Sequence, residues 1–460
     1  MKTEETKKLL QMQRAFFLTG KTKDLNFRIN RLKFLRKIIV KRNQEIMDAL
    51  NKDFGKCEFE AFTNEILGVL DEIKLAVNHL ESWAAPQNVK TPLVHFPSTS
   101  KIYYEPYGLV LVISAWNYPF QLAMNPLIGA IAAGNCCILK PSELAPNTSA
   151  VLASLIKECF AAEHCCVIEG GAEDTAALLK RKFDFIFYTG STRVGKIIAK
   201  AAAANLTPVV LEMGGKSPCI VSQHADIKTS AKRIAWGKFM NAGQTCVAPD
   251  YVLVHKKVKE QLIEELEKQI SAFYGCDAAK SKDYSRIINQ NHFERLAVYL
   301  QDGIIRIGGK SDANERYIEP TIIQDITWEH PVMQEEIFGP ILPILEYEDF
   351  SQVIDTINAH ERPLALYLFS KNKKEQRRIV QETSFGGGCI NTTILHVANP
   401  HLPFGGIGNS GMGSYHGKWS FETFSHKKGV LKKSLALESK LLYPPYRNKF
   451  NWLKKFYLRK

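Results

Sequence analysis

From about residue 105 the chain alternates short apolar runs with segments whose apolar residues recur at helical spacing. LVLVIS (109–114), CCILK (136–140), CCVIEG (165–170) and DFIFYT (184–189) are apolar at nearly every position. Uniformly apolar strands separated by helices predict a parallel sheet covered on both faces, a doubly wound nucleotide-binding type of domain. The small-residue stretch NPLIGAIAAG (125–134) predicts one of the covering helices. A second alternating set begins near residue 217 with SPCIV and YVLVH. It continues with a helix bearing Val258, Leu262, Leu266 and Ile270 on one face, then LALYLF (364–369) and GGCIN (387–391). Two α/β units therefore join near residues 212–216. The first 80 or so residues, rich in Lys and Leu at helical spacing, predict helices packed on the first unit. LPFGGIGNSGMGSYHG (402–417) has too little β-branched content for a strand and predicts a long ordered loop.

With 460 residues, two or three domains and ample core are expected. Charge changes the picture more by its placement than by its net value of +13. The first 42 residues carry 13 Lys/Arg against 3 Asp/Glu and the last 34 carry 11 against 1, which leaves the body between them acidic. A nucleic-acid enzyme would carry its basic charge in the working body, so no nucleic-acid partner is expected. None of the 10 cysteines forms a C-x-x-C pair, which predicts reduced thiols and no metal site. The N-terminus has no signal-peptide pattern, and no run reaches the 18 apolar residues of a membrane span.

Five stretches carry candidate chemistry. YTGSTRVGK (188–196) ends a strand, turns on Gly190 and Ser191 and enters a helix containing Gly195, so free N–H groups and the helix dipole suit an anion there. A plain strand-to-helix turn explains the same residues. ILKPSE (138–143) places Lys140 and Glu143 beyond a strand end, where they could hold the two hydroxyls of a ribose or simply pair with each other. Glu212, in VVLEMGGKSP (209–218), ends an apolar strand. A carboxyl in so dry a place is tuned like a general base, or else it is a buried structural group. Asn117, between Trp116 and Tyr118, is either an oxyanion donor or a turn former. Cys246, in NAGQTCVAPD (241–250), follows a run suited to an exposed backbone turn. Such a turn supplies the N–H donors a nucleophilic thiolate needs, although most cysteines are structural.

Taken together, EMGGKSP, GQTCVAPD, MQEEIFGP and PFGGIGNSGMGSYHG resemble, in order, the signature stretches of the NAD(P)-dependent aldehyde dehydrogenase superfamily. AWGKFMNAGQTCVAPDY, SGMGSYHGKWSFETFSH and the late YPPY look like its class 3 branch, which includes fatty and aromatic aldehyde dehydrogenases. The resemblance runs from about residue 20 to about 445. It implies Cys246 as nucleophile, Glu212 as general base and Asn117 as oxyanion donor. Lys140 and Glu143 are implied at the adenine-side ribose, Gly190, Ser191 and Gly195 beside the pyrophosphate, and Glu336 and Phe338 at the nicotinamide-side ribose and ring. Two departures, Met213 after the base and Ala115 before the Trp, touch no implied catalytic group.

The fold class expected is α/β, with two doubly wound parallel-sheet domains, one cofactor-binding and one catalytic, and a small bridging or oligomerisation region. The expected division is N-terminal helices of the cofactor domain at 1–83, a bridging segment at 84–102 and the cofactor-binding domain at 103–212. The catalytic domain follows at 213–395, then bridging segment and active-site loop at 396–435, and a basic aromatic tail at 436–460. The expected reaction is oxidation of medium- or long-chain aliphatic or aromatic aldehydes to carboxylic acids. NAD is the expected cofactor because the Glu143 carboxylate would repel a 2′-phosphate, with NADP left open by Lys140. The alternatives are an acylating enzyme that passes the thioester to coenzyme A or phosphate, and a non-catalytic protein on the same fold. A homodimer is implied, in the cytoplasm. The tail YPPYRNKFNWLKKFYLRK places Tyr446, Phe450, Leu453 and Tyr457 on one helical face, with Arg447, Lys454, Lys455 and Arg459 largely off it. Such a helix suits peripheral contact with a membrane surface or packing on the enzyme or its dimer partner.

Overall fold

The computed structural model describes residues 3–438, 442–446 and 449–458. Apolar strands whose alternate side chains point to opposite faces need cover on both sides, and the first sheet obtains it. Its parallel strands lie in the order Val209–Glu212, Phe185–Thr189, Leu109–Ile113, Cys136–Lys140, Cys165–Val167. Val110, Val112, Cys137 and Leu139 face one core, with helices Leu25–Lys41, Asn43–Phe54, Gly68–Ala84 and Pro119–Ala133 over it. Leu109, Leu111, Ile113, Cys136 and Ile138 face a second core with Leu10 of helix Thr3–Leu18 and Ile198 of helix Thr192–Ala203. This is the α/β doubly wound arrangement that the apolar runs predict.

The second sheet has seven strands, ordered Ile304–Ile307, Thr321–Gln324, Ile341–Tyr347, Tyr251–His255, Pro218–Val221, Ala365–Phe369, Gly387–Ile390. All neighbours are parallel except the first pair. Three of these strands have no counterpart in the sequence reading. Pro343 sits inside Ile341–Tyr347, where a residue without an N–H argues against an interior strand, and Ile304–Ile307 is an exposed edge with little apolar contrast. On helix Lys259–Tyr274, Leu262, Leu266 and Ile270 are buried as expected, while Val258 precedes the helix as its cap.

A third, antiparallel sheet joins Gln87–Val89, Ser98–Pro106 and Ser425–Lys433. Ser98–Pro106 runs unbroken through the boundary expected at 102/103, and its register holds from Ser98↔Lys433 to Pro106↔Ser425. Residues 402–417 are ordered, yet Gly411–Met412 form a short strand that pairs antiparallel with Leu211–Glu212 at the edge of the first sheet. Lack of β-branched side chains did not prevent this. The strand is two residues long and lies so close that a Cβ on Gly411 would stand 2.7 Å from Leu211 O.

Candidate active site

The carboxyl ends of the first sheet's strands and the loops of the second unit converge on Cys246. After helix Ile227–Phe239 the chain turns through three consecutive left-handed residues, Asn241 (φ 53°), Ala242 (φ 50°) and Gly243 (φ 72°). Two are not glycine, a conformation that costs free energy and persists only where surroundings over-determine it. The surroundings are specific. Asn241 Nδ2 donates to Asn117 O at 3.0 Å and to Gln244 O at 3.2 Å. Gln244 Nε2 donates to Asn241 O at 3.1 Å and Arg286 O at 3.0 Å, and its Oε1 accepts from Ile288 N at 2.9 Å. Gly243 is required twice over, because a Cβ there would meet Gly339 O at 2.2 Å. Residues 241–245 are buried rather than presented as an exposed turn, and Cys246 itself is half-buried.

Asn117 is buried beside this loop, and its Nδ2 donates to Gln244 O at 3.2 Å. Its neighbour Tyr118 shares a 2.7 Å hydrogen bond between its hydroxyl and that of Thr245, next to Cys246. Glu212 ends its strand 2 % exposed, and neither carboxylate oxygen has a hydrogen-bond partner within the described chain. Burial alone pushes its carboxyl well above the usual range.

Glu336 approaches from the second unit. Its carboxylate lies against Gly214, where an added Cβ would stand 2.0 Å from Oε2, and it accepts from the Gly215 backbone N–H. Burial, followed by the nearby Asp250, pushes Glu336 up to about 8. Asp250 is anchored by Lys216 Nζ at 2.6 Å and by Ile337 N at 2.9 Å, so one carboxylate ties the GGK, APD and EEIF stretches together. Phe338 (φ 52°) meets the Trp116 ring edge-on at 5.2 Å.

Burial, then Glu336 and Glu212, push the Cys246 thiol up to about 12, while the backbone N–H groups of Cys246 and Val247 pull it down. Glu212 and Glu336 are themselves pushed up, mainly by burial, which lessens the negative charge they set against the thiolate. Burial remains, opposed by two N–H donors.

Along the first sheet, Lys140 is buried with Nζ donating to Pro141 O at 2.8 Å and Gly170 O at 2.5 Å. Glu143 stands half-exposed, 3.8 Å from that ammonium. Gly190 N donates to Glu212 O at 2.9 Å, Ser191 caps helix Thr192–Ala203 through Val194 N, and Gly195 packs on Met213. A cleft of about 310 Å³ opens beside them, lined among others by Thr192, Gly214, Glu336, Asn409 and Ser410. Nine of the ten candidate site residues thus lie on strand ends and loops of the two facing units, and Gly195 lies in the first turn of helix Thr192–Ala203. Asn241, Gln244, Lys216 and Asp250 lie inside the quoted motifs without a role assigned, although an Asn two places before a glycine is a signal of a side-chain-braced turn.

The profile of the "Aldehyde dehydrogenase family" matches residues 1–430. The chain belongs to the aldehyde dehydrogenase family. It is 52 % identical over 446 residues to the 4,4'-diaponeurosporen-aldehyde dehydrogenase of Staphylococcus aureus (strain NCTC 8325 / PS 47), covering 96 % of this chain and 97 % of that one. Identity to the "dimeric NADP-preferring" aldehyde dehydrogenase of Rattus norvegicus is 48 % over 434 residues, 94 % of this chain and 96 % of the relative. Identity to aldehyde dehydrogenase family 3 member A2 of Macaca fascicularis is 46 %, over 98 % and 94 %. The solved "Substrate bound state of Staphylococcus Aureus AldH" superposes with a TM-score of 0.96 at 51 % identity, over 98 % of this chain and 99 % of that one. The resemblance to the family and its class 3 branch therefore holds.

Proposed function

We propose that this aldehyde dehydrogenase oxidises medium- or long-chain aliphatic or aromatic aldehydes to carboxylic acids with NAD or NADP. The observation that carries the reading is Glu212, a buried carboxyl with two unpartnered oxygens in the field of the Cys246 thiol. An unsatisfied buried carboxyl is costly and is retained where it meets a reacting group. Cys246 Sγ attacks the aldehyde carbon, and the Asn117 amide and the Cys246 N–H receive the developing oxyanion. Asn117 Nδ2 is held by Gln244 O only at 3.2 Å, so it is preoriented toward the thiol's loop. Glu212 then takes a proton from the water that hydrolyses the thioester.

Residues for a nicotinamide cofactor fit what is present. Glu336 is seated against Gly214 as a hydroxyl acceptor, Ser191 opens a helix N-terminus, and the cleft lies between them. The cofactor, when bound, supplies the hydride acceptor. Retained Glu212 supports water over coenzyme A as acyl acceptor. A panel of aldehydes by chain length, with each cofactor, tests the proposal: acid product with stoichiometric reduced cofactor is expected, and acyl-coenzyme A as product would overturn it.

The half-exposed position of Glu143 beside Lys140, at the carboxyl end of strand Cys136–Lys140, supports the reading that it contacts the adenine-side ribose. Its half-exposed carboxylate repels a 2′-phosphate, while a relative prefers NADP. Glu143→Gln is expected to raise kcat/KM for NADP relative to NAD. An unchanged ratio would show that Glu143 does not read this group.

A homodimer is supported by the apolar surface around the three-stranded sheet, where Leu93, Val94, Phe96, Val430 and Leu431 are exposed. The tail supports membrane contact. Helix Lys449–Tyr457 buries no side chain, so it does not pack on the chain's own body. The expected stripe is modified, since Tyr446 precedes the helix and Arg447 and Arg459 lie outside the described residues. Phe450, Leu453 and Tyr457 continue instead into Trp452 and Phe456, stacked at 5.7 Å, with Lys454 and Lys455 on the other side. Among the described residues no helix is long and apolar enough to cross a membrane, and an interfacial helix is the fit. Full chain is expected to sediment with anionic liposomes, less so in high salt, and a chain ending at residue 440 is not. Equal sedimentation of the two would leave the tail to dimer packing.

A further inference from the structure

Segment 56–65 carries an ion pair that the aldehyde chemistry does not itself use. Lys56 and Glu65 are both fully buried, with Nζ 2.6 Å from Oε1. Glu65 lies where helix Glu58–Ala61 passes into a π-helical turn, Phe62–Leu67, a distortion that is rare outside functional regions. Its second oxygen accepts from the backbone N–H groups of Phe120 at 3.0 Å and Gln121 at 3.1 Å, in the first turn of helix Pro119–Ala133. Those donors have no partner within their own helix.

Lys56 faces the other side of the same turn. Its Nζ stands 4.5 Å from the Tyr118 ring centroid and 3.5 Å from Asn117 O. Tyr118 in turn bonds Thr245, and Asn117 O also receives Asn241 Nδ2. The pair therefore grips residues 117–121 from behind, while the front of the same turn meets residues 241–245. A buried ion pair is a poor source of stability, because desolvation consumes most of the attraction. What this one supplies is position.

We propose that the buried Lys56–Glu65 pair is a positioning device that fixes the Asn117–Tyr118 turn against the Thr245–Cys246 turn, and so sets where the Asn117 amide stands relative to the reacting sulfur. This rests on the assignment of Asn117 as oxyanion donor. Neither Lys56 nor Glu65 touches the reacting atoms. With the pair gone, the first turn of helix Pro119–Ala133 loses its acceptor and Tyr118 its cation, so the amide shifts by the fraction of an ångström to which oxyanion stabilisation is sensitive.

The test removes both charges together, Lys56→Met with Glu65→Leu, so that neither is left buried alone and no side-chain acceptor remains for the Phe120 and Gln121 N–H groups, and reads the single-turnover rate of NADH formation. Expected are unchanged cofactor affinity and a single-turnover rate lower by about tenfold or more. Asn117→Ala alone is expected to slow that step about a hundredfold. Adding it to the double variant should cost no more than it does alone, because the pair acts through that amide. A double-variant rate within about twofold of the parent, or losses that multiply, overturns the proposal while a slow Asn117→Ala keeps the oxyanion assignment standing. A near-normal Asn117→Ala overturns that assignment and the proposal with it. Should the double variant not fold, Lys56→Met with Glu65→Gln takes its place, which keeps an amide acceptor for the Phe120 and Gln121 N–H groups and removes the ion pair and the cation on the Tyr118 ring. A rate lower by roughly fivefold that does not multiply with Asn117→Ala supports the proposal, and the parent rate overturns it.

Discussion

Cys246→Ala is expected to form no reduced cofactor with any aldehyde while binding cofactor as the parent does. On the proposed assignment, the Cys246 sulfur forms the covalent adduct. Without it, hydride would have to leave a free aldehyde hydrate that nothing holds. The loop is braced by Asn241, Gln244 and Tyr118 rather than by the thiol, so the substitution leaves its shape intact. Alkylation gives an independent reading in the parent. With burial pushing the cofactor-free thiol up to about 12, the rate of reaction with iodoacetamide should still be climbing at pH 9. A plateau below pH 8 would show that the two N–H donors outweigh burial. Substantial NADH production by pure Cys246→Ala would remove the nucleophile assignment.

Glu212→Gln should separate the two halves of the reaction. In the proposed mechanism hydride transfer needs Cys246 and Asn117, whereas hydrolysis of the thioester needs a base, so a burst of NADH should precede a steady state slower by about 10²–10⁴. The amide is nearly isosteric and neutral, and neither Glu212 oxygen holds a hydrogen bond that it would break, so the fold should tolerate it. In the parent, the hydrolytic rate should rise with pH. A base works only when deprotonated, and burial pushes the Glu212 carboxyl well above the usual carboxylate range. The variant should lose that rise. If the burst disappears together with turnover, Glu212 acts before hydride transfer, in activating the thiol.

The sequence by itself determined the two α/β units, because strands apolar at every position admit only a sheet covered twice, and the ordered motifs carried the family. It also marked Glu212 and Asn117 at the ends of apolar strands and Cys246 in a turn-forming run, each with a structural alternative, while the role of Cys246 and the place of Glu336 came through the family resemblance. It did not disclose the strand Ile341–Tyr347, masked by Pro343, nor the pairing of Gly411 with Glu212, since a glycine strand has no side-chain period to read. Nor did it mark Lys56 and Glu65, which look in the chain like any charged pair on a helix surface. Local pattern reports how a residue relates to its own strand or helix. Only the tertiary structure decided that a lysine 61 residues before Asn117 is buried beneath it, and that Gly243 and Gly339 meet at a distance no Cβ would allow, because burial and close approach are properties of segments brought together, not of either one.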